Sequence, residues 1–336
     1  MNSIKNKVYS NLSLDTGKRH NVGEIAINDA YIVRSYAELV KHIAKITFNN
    51  PEINIYFRGQ GGDFRGTDKK TQIFPTLYRL KYDDRSEAIQ KLQIASEQII
   101  KKFSASKIEG VQKMRKFPVV SWSVLQHYEV CDTPLLDVTD SLIVACSFAL
   151  ANRDEGYLYL LGLPHSNGSI TYSTEHELLN IKLNSICPPD ALRAYYQSGY
   201  LVGDFPNDPL SRSERNNDFS KRLIAKFKLI GKKFWNEEFQ QLPSNALFPQ
   251  HDDMLIQKIT HGIKTELLSL YIEKIKSAEK REKIKQNLYD EELKAEVLNL
   301  YMNDWTLEEI VNHLQNRGFE VRSIENEYYE IDKVMN

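Results

Sequence analysis

The chain has 336 residues, of which 41% are hydrophobic and 26% are charged, and its formal net charge is −1. This is the composition of an ordinary globular protein with one large domain or two smaller ones. A net charge near zero excludes a global basic field of the kind that attracts nucleic acid or an anionic membrane. No run of about 18 apolar residues is present, so no membrane span is expected.

A polar segment opens the chain and is followed by a predicted helix and strand. Residues 1–30 are interpreted as a mobile lead-in, and apolar residues at helical spacing predict a helix over residues 32–46. Residues 53–60 alternate apolar and polar side chains, as a half-buried strand does. That strand presents Arg58 beside Gly59 and Gln60. A rigid guanidinium next to glycine suits phosphate or carboxylate binding. The alternative is an edge-strand arginine paired with a local carboxylate such as Asp137.

The middle of the chain predicts the centre of the fold. Residues 141–150 are apolar or small at nearly every position, which indicates a helix buried on most faces. Residues 156–163 predict a central strand with residues 169–172 as its neighbour, and residues 223–230 predict a final strand. Everything after about residue 253 predicts helix. Helices and strands without regular βαβ spacing favour an α+β fold: a central mixed or antiparallel sheet with a buried helix and a C-terminal helical appendage.

Four short blocks follow one another along the chain: residues 56–60 followed by 74–79, residues 125–128 with 135–139 and 144–149, residues 193–200, and residues 246–252. Together they resemble the FRG domain family, which is named for an aromatic-Arg-Gly motif. The chain departs from the commoner family form after Tyr128, where Glu129 and Thr133-Pro134 replace the family's glycine and Pro-Thr-Arg, with one extra residue in the loop. The role of the usual loop arginine is therefore not carried over.

A looser likeness connects these blocks to the ADP-ribosyltransferase type of NAD-binding fold. This likeness implies NAD as a cofactor and either ADP-ribosyl transfer or NAD cleavage. The FRG resemblance implies a bacterial stress or phage-defence setting. The acceptor, protein or nucleic acid, stays open. A non-catalytic module that binds a nucleotide or a partner is the alternative. The implied cofactor-binding residues are Arg58, Gly59, Gln60, Asp137, Thr139 and Arg193, and the implied catalytic residues are His127, Tyr128 and Gln197.

Most of these residues also have a structural interpretation. His127 has neighbours that suit a buried, hydrogen-bonded histidine as well as a general base. Asp137 follows two leucines, so capping the buried helix or holding Arg58 is favoured over direct catalysis. Thr139 is the expected N-cap of that helix. Arg193 and Gln197 are four residues apart, so on a helix they share a face, either toward one ligand or as a surface pair.

Several sequence motifs are absent. The chain has no Gly-x-Gly-x-x-Gly fingerprint, no Walker loop and no Gly-x-Ser-x-Gly elbow. His-Glu-x-x-His and Cys-x-x-Cys are also missing, so no metal is expected. Three cysteines argue against a disulfide framework, and the first 20 residues have no apolar signal core. The absence of a signal core and of a membrane span predicts a cytoplasmic protein. The small-molecule or nucleotide ligand is implied by the resemblance.

The C-terminal segment resembles the first helices of a helix-turn-helix, with Thr306 capping the second helix. The expected reading helix carries Arg317 and Arg322 but also several glutamates, which disfavours DNA binding as a second alternative. An apolar stripe instead favours packing on the main domain or a homodimer through these helices. The predicted boundaries are residues 1–30 for the lead-in, 31–262 for the FRG-type domain and 263–336 for the appendage.

Overall fold

A computed structural model gives the fold and describes residues 1–151, 153–205, 217–230, 233–248, 253–272, 278–303, 305–317, 319–325 and 328–333. Contacts within the chain group it into two compact units, each discontinuous in sequence. The sheet unit comprises Met1–Ile89, Asp132–Cys187 and Ala194–Pro243. The helical unit comprises Gln90–Cys131, Pro188–Arg193 and Ser244–Asn336. The domain boundaries expected from the sequence stay a prediction.

The sheet unit is built on an eight-stranded mixed sheet. Its strands are β1 (Tyr31–Val33), β2 (Asn54–Gln60), β3 (Leu136–Thr139), β4 (Glu155–Leu163), β5 (Ile170–Ser173), β6 (Leu178–Lys182), β7 (Gly199–Asp204) and β8 (Leu223–Ile230). Their spatial order is β1-β8-β4-β2-β3-β7-β6-β5. Only the β1–β8 pair of this sheet is parallel. The predicted α+β class is thereby confirmed.

Helices precede, separate and follow these strands. They are α1 (Ser13–Thr16), α2 (Val22–Ile27), α3 (Tyr36–Phe48), α4 (Thr76–Arg79), α5 (Tyr82–Ala105), α6 (Val111–Lys116), α7 (Pro118–His127), α8 (Leu142–Ala149), α9 (Leu183–Ile186), α10 (Arg193–Tyr196), α11 (Ser244–Leu247), α12 (Met254–Ile272), α13 (Ala278–Met302) and α14 (Leu307–Asn316). A 3-10 turn, Phe219–Arg222, leads into β8. No helix in the described ranges is long and apolar enough to cross a membrane.

The beginning of the chain packs into the sheet unit. Val8 pairs with His20 in an isolated bridge, and Val8 and Ile25 are buried in the core. The helix predicted over residues 32–46 is α3, but it begins at Tyr36 because the Ser35 side chain caps it by accepting the Glu38 N–H. Residues at the predicted start form strand β1 instead.

Helix α8 is the predicted buried helix, and it packs on β2, β3 and β4. Residues 144–147 and Ala149 are buried, while Leu142, Ile143 and Phe148 are partly exposed. The N-cap residue is Ser141 rather than Thr139. The Thr139 hydroxyl accepts the Ser141 N–H at 3.0 Å, so it satisfies a donor one position before the helix.

Two other predictions were wrong, one about strand pairing and one about the C-terminal helices. Strand β4 is central, but β5 pairs with β6 at the edge of the sheet and not with β4. The residues after about 253 are not all helical either, because β9 (Phe319–Glu325) and β10 (Tyr328–Lys333) pair as an antiparallel hairpin. Phe319 and Val321 alternate with charged residues there, which is the period of a strand.

The helical unit has α12 packed along α13 and a small core at its C-terminal end. The predicted apolar stripe is covered inside this unit, since Val297, Ile310, Leu314 and Phe319 are buried together, with Leu293 and Leu300 against them. Thr306 caps α14 as predicted, in a capping box with Glu309. A homodimer through these helices stays a prediction, and DNA binding through them stays the disfavoured second alternative.

Candidate functional site

A polar row of side chains crosses three central strands of the sheet. Arg58 on β2 lies opposite Tyr159 on β4, and Tyr159 lies opposite Lys226 on β8. Residues directly opposite share a face of the sheet, and neighbours along a strand point to the other face. The three polar side chains therefore lie on one face, and Gly59, Leu158 and Phe227 lie on the opposite one.

Arg58 is held by one main-chain hydrogen bond and keeps a donor that has no partner in the described part of the chain. Its Nη1 donates to the main-chain oxygen of Asp137 at 2.7 Å, and its buried Nε has no hydrogen-bond partner among the described residues. Burial lowers the pKa of Arg58, the charge of Asp137 raises it, and the nearby positive charge of Arg79 lowers it again. Such a guanidinium, beside a second one, has donor capacity left for an anion.

Gly59 and Gln60 complete the motif in different ways. A Cβ atom at Gly59 would lie 1.8 Å from the Ala145 carbonyl oxygen, so this glycine permits close packing of α8 on β2. The amide of Gln60 donates to the Gly62 oxygen at 2.7 Å and to the Tyr159 hydroxyl at 3.2 Å. Gln60 thus holds the start of the loop after β2.

Asp63 ties that loop to the polar row. Its carboxylate accepts from the Tyr159 hydroxyl at 3.0 Å and the Thr71 hydroxyl at 2.7 Å, and forms an ion pair with Lys226 at 3.3 Å. Lys226 is 0% exposed, and its ammonium also donates to Thr71 at 2.6 Å. Burial would raise the pKa of Asp63, but hydrogen bonds from Thr71 and Arg65 and the charge of Lys226 hold it below its usual value. The pair is fully hydrogen-bonded, as a buried ion pair has to be.

A second group of predicted residues meets at the end of β3. The Thr139 hydroxyl lies 3.1 Å from the Gln197 carbonyl oxygen and 3.1 Å from that of Ser198. Ser198 has a positive φ of 43°, a strained conformation for a serine. Thr139 and Gln197 are both buried. The structure therefore gives the Thr139 side chain and the Gln197 main chain a structural contact.

The helical unit contains the other predicted residues. The Arg193 guanidinium donates to the His127 carbonyl oxygen at 3.0 Å and lies over the rings of Tyr128 and Phe248, at 4.8 and 5.5 Å from their centres. The Tyr128 hydroxyl hydrogen-bonds the Asp253 carboxylate. Burial, followed by the charge of Asp253, raises the pKa of Tyr128 well above its usual value. Tyr128 therefore stays protonated and is no base.

The structure thus assembles the predicted site residues in two groups. Arg58, Gly59, Gln60, Asp137, Thr139 and Gln197 belong to the sheet unit, while His127, Tyr128 and Arg193 belong to the helical unit. A single pocket that joins both groups stays a prediction. In the fourth block of the FRG resemblance, residues 249–252 lie outside the described part of the chain.

Three polar residues of the site were missed by the sequence analysis. They are Asp63, Tyr159 and Lys226, which connect Gln60 to the buried face of the sheet. One signal was available, because Lys226 interrupts the nearly continuous apolar run of the predicted strand at residues 223–230. Within the described ranges, no group of three or more His, Cys, Asp or Glu side chains is placed to hold a metal ion.

These features define an α+β protein whose mixed sheet carries an anchored arginine in a polar row across its central strands. The sequence contains neither a Walker loop nor a Gly-x-Gly-x-x-Gly fingerprint. Residues 54–157, about a third of the chain, match the family model of the FRG domain. This part of the chain is therefore an FRG domain, and the match contains the first two blocks of the predicted resemblance. No curated protein and no solved structure gives a significant match to the chain.

Proposed function

We propose that the FRG domain binds a phosphate-bearing ligand at Arg58, with NAD as the candidate. The observation that carries this proposal is the state of the guanidinium: Nη1 is held by the Asp137 carbonyl, and the buried Nε has no partner among the described residues. A buried donor left without a partner costs about 1–3 kcal/mol. An anion that accepts from Nε would recover this free energy, and Arg79 adds a second positive charge nearby.

The side chains beside Arg58, namely Gln60, Asp63, Tyr159 and Lys226, support the ligand site without touching the ligand. Gln60 and Tyr159 are hydrogen-bonded to each other, and Tyr159 is bonded to Asp63, which pairs with Lys226. Each of these four side chains has its partners inside the protein, so together they fix the loop after β2 and keep the backbone beside Arg58 rigid. A preorganised arginine loses less side-chain entropy when it binds an anion.

For the chemistry, the looser likeness to ADP-ribosyltransferases supports NAD cleavage or ADP-ribosyl transfer. In either reaction the bond between nicotinamide and the ribose C1′ breaks, and nicotinamide leaves with the bonding electrons. A water or an acceptor nucleophile forms the new bond to C1′ and releases a proton. Gln197, which belongs to the same unit as Arg58, is the proposed polar catalyst. His127 and Tyr128 belong to the helical unit and are not assigned to this step. The bacterial stress or phage-defence setting rests on the family resemblance alone.

The binding step is tested by calorimetry with NAD and ADP-ribose on the full chain. Arg58→Lys keeps the charge but loses the planar fork, so we expect affinity to fall at least about tenfold. Arg34→Lys is the matched control, because Arg34 is an exposed arginine of the same unit. Equal NAD affinity in the wild type and Arg58→Lys would contradict the proposal.

Catalysis is tested separately from binding by measuring nicotinamide release, with and without a protein or nucleic-acid acceptor. Release that falls in Gln197→Ala while NAD still binds supports the enzyme. NAD binding without any release, under all acceptor conditions, would assign the domain to the alternative class of non-catalytic nucleotide-binding modules.

A further inference from the structure

A polar groove lies in the sheet unit at the opposite end of the central strands from the Arg58 motif. Its volume is about 750 Å³, the size of a small-ligand site. Asn54 and Leu163 line it and pair across β2 and β4. Arg58 is four residues further along β2, about 13 Å away at the rise of a strand. The groove is therefore separate from the site described above.

The most informative side chain of the groove is Arg222, at the end of the 3-10 turn before β8. Arg222 is only 4% exposed, and its Nε donates to the Gly162 carbonyl oxygen at 2.6 Å. Its Nη1 lies 3.4 Å from the main-chain oxygen of Asn2. Within the described part of the chain it forms no ion pair, and burial lowers its pKa to about 10. A buried guanidinium is ordinarily paired with an anion, so the absence of one here points to a ligand that supplies it.

The rest of the lining is suited to a ligand with a phosphate and a flat ring. Amide and hydroxyl groups predominate, and Lys5 adds a second positive charge. The carboxylates of Glu52 and Glu175 also line the groove, but both residues are exposed to solvent, which weakens their repulsion of an anion. Tyr172 is 48% exposed and packs against Phe205 with ring centres 5.0 Å apart. A supported, exposed aromatic ring is a surface on which a base can stack.

We propose that this groove binds a nucleoside monophosphate, with its phosphate on Arg222 and its base against Tyr172. The phosphate accepts hydrogen bonds from the guanidinium and supplies the negative charge that the protein does not. The side-chain amides of Asn2, Asn6 and Asn54, which line the groove, offer hydrogen-bond donors and acceptors to the sugar. This site is independent of the proposed function at Arg58.

The experiment is a calorimetric titration of the full chain with AMP, adenosine and inorganic phosphate. We expect AMP to bind more tightly than either fragment. Arg222→Gln should weaken both AMP and inorganic phosphate at least about tenfold, because a charge-assisted hydrogen bond is lost. Tyr172→Ala should weaken AMP at least about fivefold and leave inorganic phosphate unchanged. Arg34→Gln, an exposed arginine outside the groove, is the control and should change neither affinity.

Each other outcome overturns the proposal. No binding of AMP at millimolar concentration excludes a nucleotide site. AMP affinity that is unchanged in both Arg222→Gln and Tyr172→Ala places AMP elsewhere, including at Arg58. Because Arg222 also bonds the Gly162 oxygen, Arg222→Gln is first checked by thermal melting. If it does not fold, Tyr172→Ala decides alone, since an exposed tyrosine is removed without loss of core packing.

Discussion

Gly59 lies directly against Ala145: a Cβ atom on Gly59 would be 1.8 Å from the Ala145 carbonyl oxygen. The same atom would be 2.9 Å from the amide nitrogen of Ala149. These are main-chain atoms of α8, which cannot move aside as a flexible side chain does. The glycine of the aromatic-Arg-Gly motif is therefore needed for packing of the helix on the sheet. Arg58, one residue earlier, faces the other side of the sheet, so one dipeptide serves both faces.

This relationship predicts that Gly59→Ala is strongly destabilising. Added atoms in a packed interior usually cost about 1–3 kcal/mol, and contact with helix backbone places this variant at the upper end or beyond. Gly168→Ala is the matched control, because a Cβ atom there has no neighbour within 4 Å. Chemical denaturation followed by circular dichroism measures both. Equal stability of the two variants would show that α8 does not sit on β2 as described.

The buried ion pair predicts that Lys226→Met is destabilising. The variant leaves the Asp63 carboxylate inside the protein with its hydrogen bonds but without Lys226, and we expect a loss of about 3 kcal/mol. Lys228→Met is the control, since Lys228 lies two residues along the same strand and pairs with the exposed Glu155. It should cost no more than about 1 kcal/mol. The comparison uses urea denaturation at neutral pH, and a Lys226→Met variant as stable as Lys228→Met would contradict the prediction.

Glu291 predicts acid sensitivity in the helical unit. It is buried on α13 and paired with His261 and Lys264 of α12. Burial would raise the pKa of Glu291, but the hydrogen bonds from His261 and Lys264 outweigh burial and hold it far below the ordinary value of 4.5. A depressed pKa stabilises the fold above the unfolded-state value, and this stabilisation is lost as pH falls below about 4.5.

Hydrogen exchange of the α12 and α13 amides between pH 3 and pH 7 tests this prediction, after correction for the intrinsic exchange rate. We expect Glu291→Gln to lower protection at pH 7 by about 1–3 kcal/mol and to flatten its pH dependence. Glu282→Gln on the same helix removes an exposed carboxylate paired with Lys285 and should have no measurable effect. Wild-type protection that does not fall in acid would argue against the buried pair.

The capping box of α14 predicts a local effect at Thr306. Its hydroxyl accepts the Glu309 N–H, and the Glu309 carboxylate accepts the Thr306 N–H. Thr306→Ala should destabilise the first turn of α14 by about 1 kcal/mol, and Thr306→Ser, which keeps the hydroxyl, should not. Amide exchange in that first turn reports the change. Identical protection in both variants would mean that the cap contributes nothing to the helix.

The sequence alone determined the features that depend on local pattern. Alternation of side chains placed the strand that carries Arg58, an apolar run placed α8, and Thr306 marked the start of α14. The FRG resemblance rested on short motifs in a fixed order, and such motifs can be recognised in a single sequence before its fold is known. Each of these signals is carried by residues that are close together in sequence.

Only the tertiary structure decided which residues are partners across long separations. Lys226 and Asp63 are 163 residues apart, and nothing near either residue indicates the other. Strand β5 looked like a neighbour of β4 because the two are adjacent in sequence, but β5 pairs with β6, and the neighbours of β4 are the distant strands β2 and β8. The role of Gly59 also needed the structure, since the atoms that forbid a side chain there belong to a helix more than 80 residues later. Which distant segments pair and pack together is a property of the folded chain, and the local pattern of either segment does not specify its partner.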